Sequence, residues 1–156
     1  MNILRCACLV AVQDDKLLLV RVRENVHWYL PGGKIELGER PEHALQRELL
    51  EELGIATDPG TVRYLYTVFG PAYGEPGEVE LICFAAEWKG LPQSQGEISD
   101  VSWISMQDTA KLAPAVQILC ADRLQNANGD SPAYSGRAEQ ARIVMARFEL
   151  NPYERP

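Results

Sequence analysis

From residue 3 to residue 12, apolar side chains fall on both faces of an extended chain, the pattern of a strand covered on two sides. "QDDK" breaks the run and residues 17–23 follow as a second strand, so the pattern predicts a hairpin. In that second arm Val20 and Val22 alternate with Arg21 and Arg23, which puts both arginines on one face. "WYLPGG" reads as a short strand stopped by Pro31 and two glycines. Pro41 then opens a helix at its first position, where a missing N–H costs nothing, and Gly54 closes it as a left-handed cap. Residues 61–69 and 78–88 are rich in β-branched and aromatic side chains and are expected to pair as long strands across "GPAYGEPG". "KGLPQSQGE" is a loop, "SDVSWIS" a further strand, and residues 108–124 carry a helical pattern in one or two pieces around Pro114.

Mixed strands with one strong central helix and another near the end of the pattern predict an α/β (α+β) fold, a mixed sheet sandwiched by helices. The domain is expected to span residues 1–125. Residues 126–156 read as a C-terminal extension: "NANGDSPAYSG" has linker composition, and "RAEQARIVMARFELNPYERP" could form a helix, an added strand or a partner-binding tail. Such an extension would pack on the domain or at a homodimer interface.

Charge narrows the partners. A net charge of −7 disfavours general binding to nucleic acid or an anionic membrane, while a small anionic substrate stays possible if local cations reverse the sign. Cys6, Cys8, Cys83 and Cys120 contain no C-x-x-C pair, so buried free thiols are expected in place of a zinc or redox motif. The apolar run from Cys6 to Val12 is too short to span a bilayer and lacks a cleavage site. A reducing cytoplasm fits these features.

The central helix holds an anomaly. With Leu45 at zero and about 100° per residue, Leu49, Leu53 and Leu50 fall near 40°, 80° and 140°, while Glu52, Glu48 and Glu51 fall near −20°, −60° and −120°. The leucines form a core stripe and the three glutamates crowd the adjoining arc. Glu48 repels Glu51 and Glu52 at i+3 and i+4, each pair costing a few tenths of a kcal/mol in water and more where partly buried. Arg47 answers one of them, Glu51 at i+4. The negative charge also gathers toward the C-terminal end, where the helix dipole opposes it. A divalent cation on this face would resolve the conflict, and hard carboxylate oxygens are what Mg²⁺ or Mn²⁺ prefers.

Gly33, Glu39, Arg47-Glu48-Leu49, Glu51-Glu52, Gly54 and Ile55 match G-x5-E-x7-R-E-U-x-E-E-x-G-U, U being aliphatic, at every defined position. In this the chain resembles the Nudix hydrolase family. The resemblance implies a Nudix-type α/β/α sandwich with a loop-helix-loop motif. It also implies an Mg²⁺- or Mn²⁺-dependent phosphoanhydride hydrolase acting on a nucleoside diphosphate linked to another group. Carried over by position, Glu48, Glu51 and Glu52 would ligate metal, the Gly32 carbonyl would complete the shell, Glu39 would support a further metal or the ligand geometry, and Arg47 would orient a carboxylate. Glu97 resembles by position a later-loop glutamate that serves as general base in part of the family; a surface loop residue is the plain alternative.

Other residues are weaker candidates. Arg21 and Arg23 could bind phosphate or stack on a base, or be solvated. One of Trp28 and Tyr29 could stack a base while the other enters the core. Lys34 could meet phosphate or lie exposed. His27 and His43 form no zinc pattern. Arg40, ahead of Pro41, is a poor helix cap, a place Glu39 or Glu42 could take.

The substrate signals conflict. "WYLPGGKIELGE" resembles enzymes that remove oxidised guanine triphosphates, but "LAPAVQIL" lacks the asparagine by which those read the base. Pro71, sixteen residues past Ile55, resembles the ADP-ribose hydrolases, and Tyr73, at eighteen, the dinucleoside polyphosphate hydrolases. The expected function is therefore a nucleotide pyrophosphohydrolase acting on a (deoxy)nucleoside triphosphate or nucleotide sugar, with no membrane and no stable nucleic-acid partner. The alternative is a Nudix-like nucleotide-binding sensor without turnover, and a third is an RNA cap or 5′-triphosphate hydrolase.

Overall fold

The computed structural model describes residues 3–72 and 76–125. Tyr73 and the 126–156 extension, with its expected dimer contact, lie outside the described residues.

Strands β1 (Ile3–Leu9), β4 (Gly32–Lys34), β6 (Arg63–Pro71) and β7 (Glu78–Ala85) form a mixed sheet in the order β4-β1-β7-β6. β1 runs parallel to β7, while β4 and β6 are antiparallel to their neighbours. A second sheet, β2-β3-β9, joins β2 (Val12–Gln13), β3 (Lys16–Val22) and β9 (Ile98–Ser105), and β5 (Ala56–Thr57) pairs with β8 (Trp88–Lys89).

The sheet is sandwiched. Ala7, Leu9, Ile82 and Phe84 face helix α1 (Pro41–Leu53) and pack with its Leu45, Leu49 and Leu53. Cys8, Leu81 and Cys83 alternate with them and face helix α2 (Pro114–Leu119), packing with Ala115, Val116 and Leu119. Both faces of β1 and β7 are thus covered, which is why their sequences are apolar without alternation. Leu9, Phe84, Leu45, Leu49 and Leu53 have no measurable exposure, and burying side chains of this size contributes about 1.5–3 kcal/mol each.

Two elements depart from the pattern. Residues 3–12 form two strands, since β1 leaves its sheet after Leu9 and only Val12–Gln13 turns back on Lys16–Leu17; β3 then pairs along its length with β9. An apolar run shows burial but not partner, and β1 takes β7, far away in sequence. Likewise the glycines of "WYLPGG" begin strand β4, while Trp28 and Tyr29 make only single bridges, to Leu112 and Val20. The long pair β6 and β7 forms as the pattern predicts. Among the described residues no helix is long and apolar enough to cross a membrane. All four cysteines are free thiols, and Cys8 lies beside Cys83 in register, with burial pushing both thiol pKa values up.

Candidate active site

The site begins where two backbones approach too closely for any side chain. At Gly32, φ is +135° and a Cβ would stand 2.0 Å from the Ala7 carbonyl oxygen, so only glycine lets β4 lie on β1 here. A Cβ on Gly33 would meet the Glu48 carboxyl carbon at 2.4 Å, so the second glycine leaves the space that Glu48 fills. The pair thereby sets the acidic arc of α1 against the start of β4.

Arg47 organises that arc. Its guanidinium donates to both oxygens of Glu39, Nε to Oε2 at 2.8 Å and Nη2 to Oε1 at 2.9 Å, a two-pronged fit. Nη1 donates to Glu48 Oε2 at 2.8 Å and lies 3.7 Å from Glu51, and Nη2 also donates to the Lys34 carbonyl. Arg47 therefore reaches four carboxylates, Glu36 being the farthest at 4.0 Å, more than its i+4 spacing suggests, because the fork points along the loop before the helix. Glu39 accepts in addition from the Glu36 amide, and these donors, Arg47 first, hold its carboxyl near pKa 2.

Glu52 stands differently. Its Oε1 accepts from the Gly32 N–H at 3.2 Å, but burial, joined by the charges of Glu48, Glu51 and Glu97, pushes its pKa up to about 8. Burial thus disfavours its charged form.

The far end of α1 is tied to the loop before β9. Gly54 adopts the left-handed conformation and donates to Leu50 O; Gln93 N and Gln95 N donate to Leu53 O and Glu52 O at 3.0 and 2.9 Å. This loop carries Glu97, which pairs with Arg23 at 3.4 Å, both side chains being largely exposed. The helix start has no side-chain cap, and Pro41 occupies its first turn.

A cleft of about 180 Å³ opens beside Glu52. Cys6, Cys8 and Leu81 of the sheet line it with Val22, Tyr29 and with Ala115 and Val116 of α2; Gly32, Gly33, Glu52, Pro71 and Ala72 also border it. One cavity edge is therefore acidic and the rest is apolar.

Among the described residues, no three His, Cys, Asp or Glu side chains converge as a ready-made metal cage. Glu48 and Glu51 are turned to Arg47 and Glu52 to the Gly32 amide. The donor chemistry nonetheless suits a hard dication: three carboxylates share one helical arc, and the buried one is short of positive charge.

The NUDIX domain family model matches residues 2–119. The chain belongs to that family. A MutT-like protein of Streptomyces ambofaciens is 29% identical over 132 residues, covering 84% of this chain and 82% of that protein. The nucleoside triphosphatase NudI of Salmonella newport is 31% identical over 116 residues, 66% of this chain and 82% of its own. Proteins named as 8-oxo-dGDP phosphatases or 8-oxo-dGTP diphosphatases match over only 16% to 36% of their own lengths. The crystal structure of a MutT NUDIX hydrolase from Burkholderia pseudomallei superposes with a TM-score of 0.64 at 25% identity, over 79% of this chain and 99% of that one.

In this Nudix hydrolase the structure brings Gly32, Gly33, Glu39, Arg47, Glu48, Glu51 and Glu52 together, with Glu97 close enough to Glu52 to raise its pKa. It sets other candidates apart. Arg21 donates to Asp100, Nε at 3.0 Å, and its guanidinium lies 5.4 Å from the Trp28 ring, so these two engage each other away from the cleft lining. Arg23 pairs with Glu97 and neither is in the cleft lining, and the Lys34 side chain is exposed. Of the two neighbouring aromatics, Tyr29 lines the cleft. The lining from Cys6, Val22, Ala72, Ala115 and Val116 carried no chemical signal in the sequence; only the alternation of β1, once its covered side is known, could have pointed to Cys6 and Cys8.

Proposed function

We propose that the protein hydrolyses a phosphoanhydride bond in a (deoxy)nucleoside triphosphate or a nucleotide sugar, using Mg²⁺ or Mn²⁺ held by Glu48, Glu51 and Glu52 with the Gly32 carbonyl. The observation that carries this is the position of Glu52, a half-buried carboxylate with a raised pKa at the junction of the acidic arc and an apolar cleft. The relative named as a nucleoside triphosphatase, matched over most of its length, supports the triphosphate class.

The bound cation would neutralise the diphosphate and make the attacking water more acidic. The chain's own residues do the rest. The cleft takes the nucleoside, excluding water beside Glu52. Arg47, anchored on Glu39, fixes the orientation of Glu48 and Glu51. Glu97 accepts the water proton: its charge reaches Glu52, and it is engaged by Arg23 at longer range than Glu48 is by Arg47. Four free thiols, three of them buried, suit a reducing compartment such as the cytoplasm.

The test is product analysis on a panel of nucleoside triphosphates and nucleotide sugars, with Mg²⁺, with Mn²⁺ and with chelator. Metal-dependent release of phosphate or pyrophosphate is expected, falling by orders of magnitude in Glu51→Gln and Glu52→Gln. Nucleotide binding without turnover would replace this reading with the sensor one.

A further inference from the structure

Just past β3 the chain takes a conformation that favours glycine, at a residue that is arginine. Arg23 has a φ of +52°. The other non-glycine residues with positive φ among the described residues, Asp14 and Asp15, form the tight turn between β2 and β3, where such values are ordinary. What holds Arg23 there comes from a single neighbouring segment. Arg21 pairs with Asp100 but Val22 with Ile98, so Ser99 is an extra residue in β9, a bulge opposite the end of β3. Ser99 Oγ donates to the Arg23 carbonyl at 2.6 Å, and the Arg23 N–H donates to the Glu97 carbonyl at 3.0 Å. The guanidinium then lies 3.4 Å from Glu97 Oε2. Main chain and side chain of Arg23 thus meet the same glutamate. Both side chains are largely exposed, so the pair adds little to stability; what it can set is the direction of the carboxylate. The preceding turn of the loop is fixed as well, since the Gln95 N–H donates to the carbonyl of Glu52 in the acidic arc.

Resting on the reading of Glu97 as the proton acceptor, we propose that Arg23 is a positioning residue. The bulge at Ser99 and the left-handed turn aim its guanidinium at Glu97 and hold that carboxylate in the orientation that takes the water proton. A misplacement of about 1 Å in a reacting group can cost about 10²-fold, and an exposed carboxylate that still visits the right orientation loses less, about 10-fold.

The test is Arg23→Gly. Glycine adopts this φ freely and keeps both main-chain bonds, so the guanidinium alone is lost. The expected result is kcat lowered by about 10-fold with KM and the urea unfolding midpoint unchanged. Arg23→Lys, which keeps a cation, is expected to recover most of the loss. In a Glu97→Gln background Arg23→Gly should lower kcat no further, because the group it orients is gone. A raised KM with kcat kept, or a loss that persists beside Glu97→Gln, would overturn the proposal in favour of direct contact with the substrate phosphates. A loss of kcat matched by a lowered unfolding midpoint would overturn it in favour of a structural role. Unchanged kcat in Arg23→Gly beside a lowered one in Glu97→Gln would overturn it while leaving the hydrolase reading intact. Unchanged kcat in Glu97→Gln would remove the proton-acceptor assignment, and this inference with it.

Discussion

Replacing Glu52 by glutamine should stabilise the metal-free protein, by an amount that grows with pH. In the folded chain the Glu52 pKa stands at about 8 against 4.5 for the free side chain, burial being the largest cause. Because the folded value is raised, the sign is opposite to that of a salt-bridged carboxylate. Below pH 4.5 both states carry the proton and the group costs nothing. Between 4.5 and 8 the unfolded chain ionises while the folded one holds its proton, so stability falls as pH rises; above 8 the full cost is in place. A gap of about 3.5 pH units at about 1.36 kcal/mol each sets a ceiling near 5 kcal/mol, and residual solvent access reduces the expected effect to about 2–4 kcal/mol. Glutamine keeps an oxygen for the Gly32 N–H and removes the titration. Urea unfolding of both proteins in chelator, from pH 4.5 to 8.5, measures the difference. The variant should gain over wild type as pH rises and the two should converge at the acid end. A difference independent of pH, or a variant less stable at pH 8.5, would refute the assigned burial of charge. Saturating Mg²⁺ or Mn²⁺ should reverse the order, because the wild-type site alone keeps its full affinity.

Arg47→Lys should lower kcat by about 10–100-fold with the fold retained, because an ammonium cannot reproduce the two-pronged grip on Glu39 while also reaching Glu48; steady-state kinetics beside a circular dichroism melt checks this. Gly32→Ala should destabilise the whole domain by more than about 2 kcal/mol, since its Cβ would stand 2.0 Å from a main-chain oxygen at a φ that alanine rarely adopts, and urea titration would read it. Glu97→Gln should lower kcat in steady-state assays while leaving thermal stability within about 0.5 kcal/mol, as expected for an exposed residue.

The helix and its acidic arc were legible in the sequence because both are local. Leu45, Leu49 and Leu53 repeat at the helical period, Pro41 and Gly54 mark the ends, and the glutamates share an arc by angle alone. Strand existence was legible for the same reason, through β-branched runs such as β6 and β7. Strand partnership was not. β1 pairs with β7 across most of the chain, a choice made by packing between two helices that no local pattern records. The cleft was illegible too, since Cys6, Val22 and Val116 become its lining only when three separate elements meet. Arg21 shows the limit from the other side: its alternation with Val20 was read correctly as a face, but what occupies that face is Asp100 and Trp28.

The crowded glutamates raise a problem that the fold solves only in part. Like charges at the C-terminal end of a helix face both one another and the dipole. Arg47 relieves Glu48 and Glu51, and the amides of Gln93 and Gln95 cover carbonyls at the helix end that would otherwise add to the negative potential. For Glu52 the local relief is a single N–H, from Gly32 at 3.2 Å, and that is too little to hold a buried carboxylate ionised. A helix face chosen for stability alone would carry glutamine or leucine there. That the remaining imbalance falls on the side chain bordering both the arc and the cleft is the physical reason behind the proposal that a dication, arriving with the phosphates, supplies positive charge there.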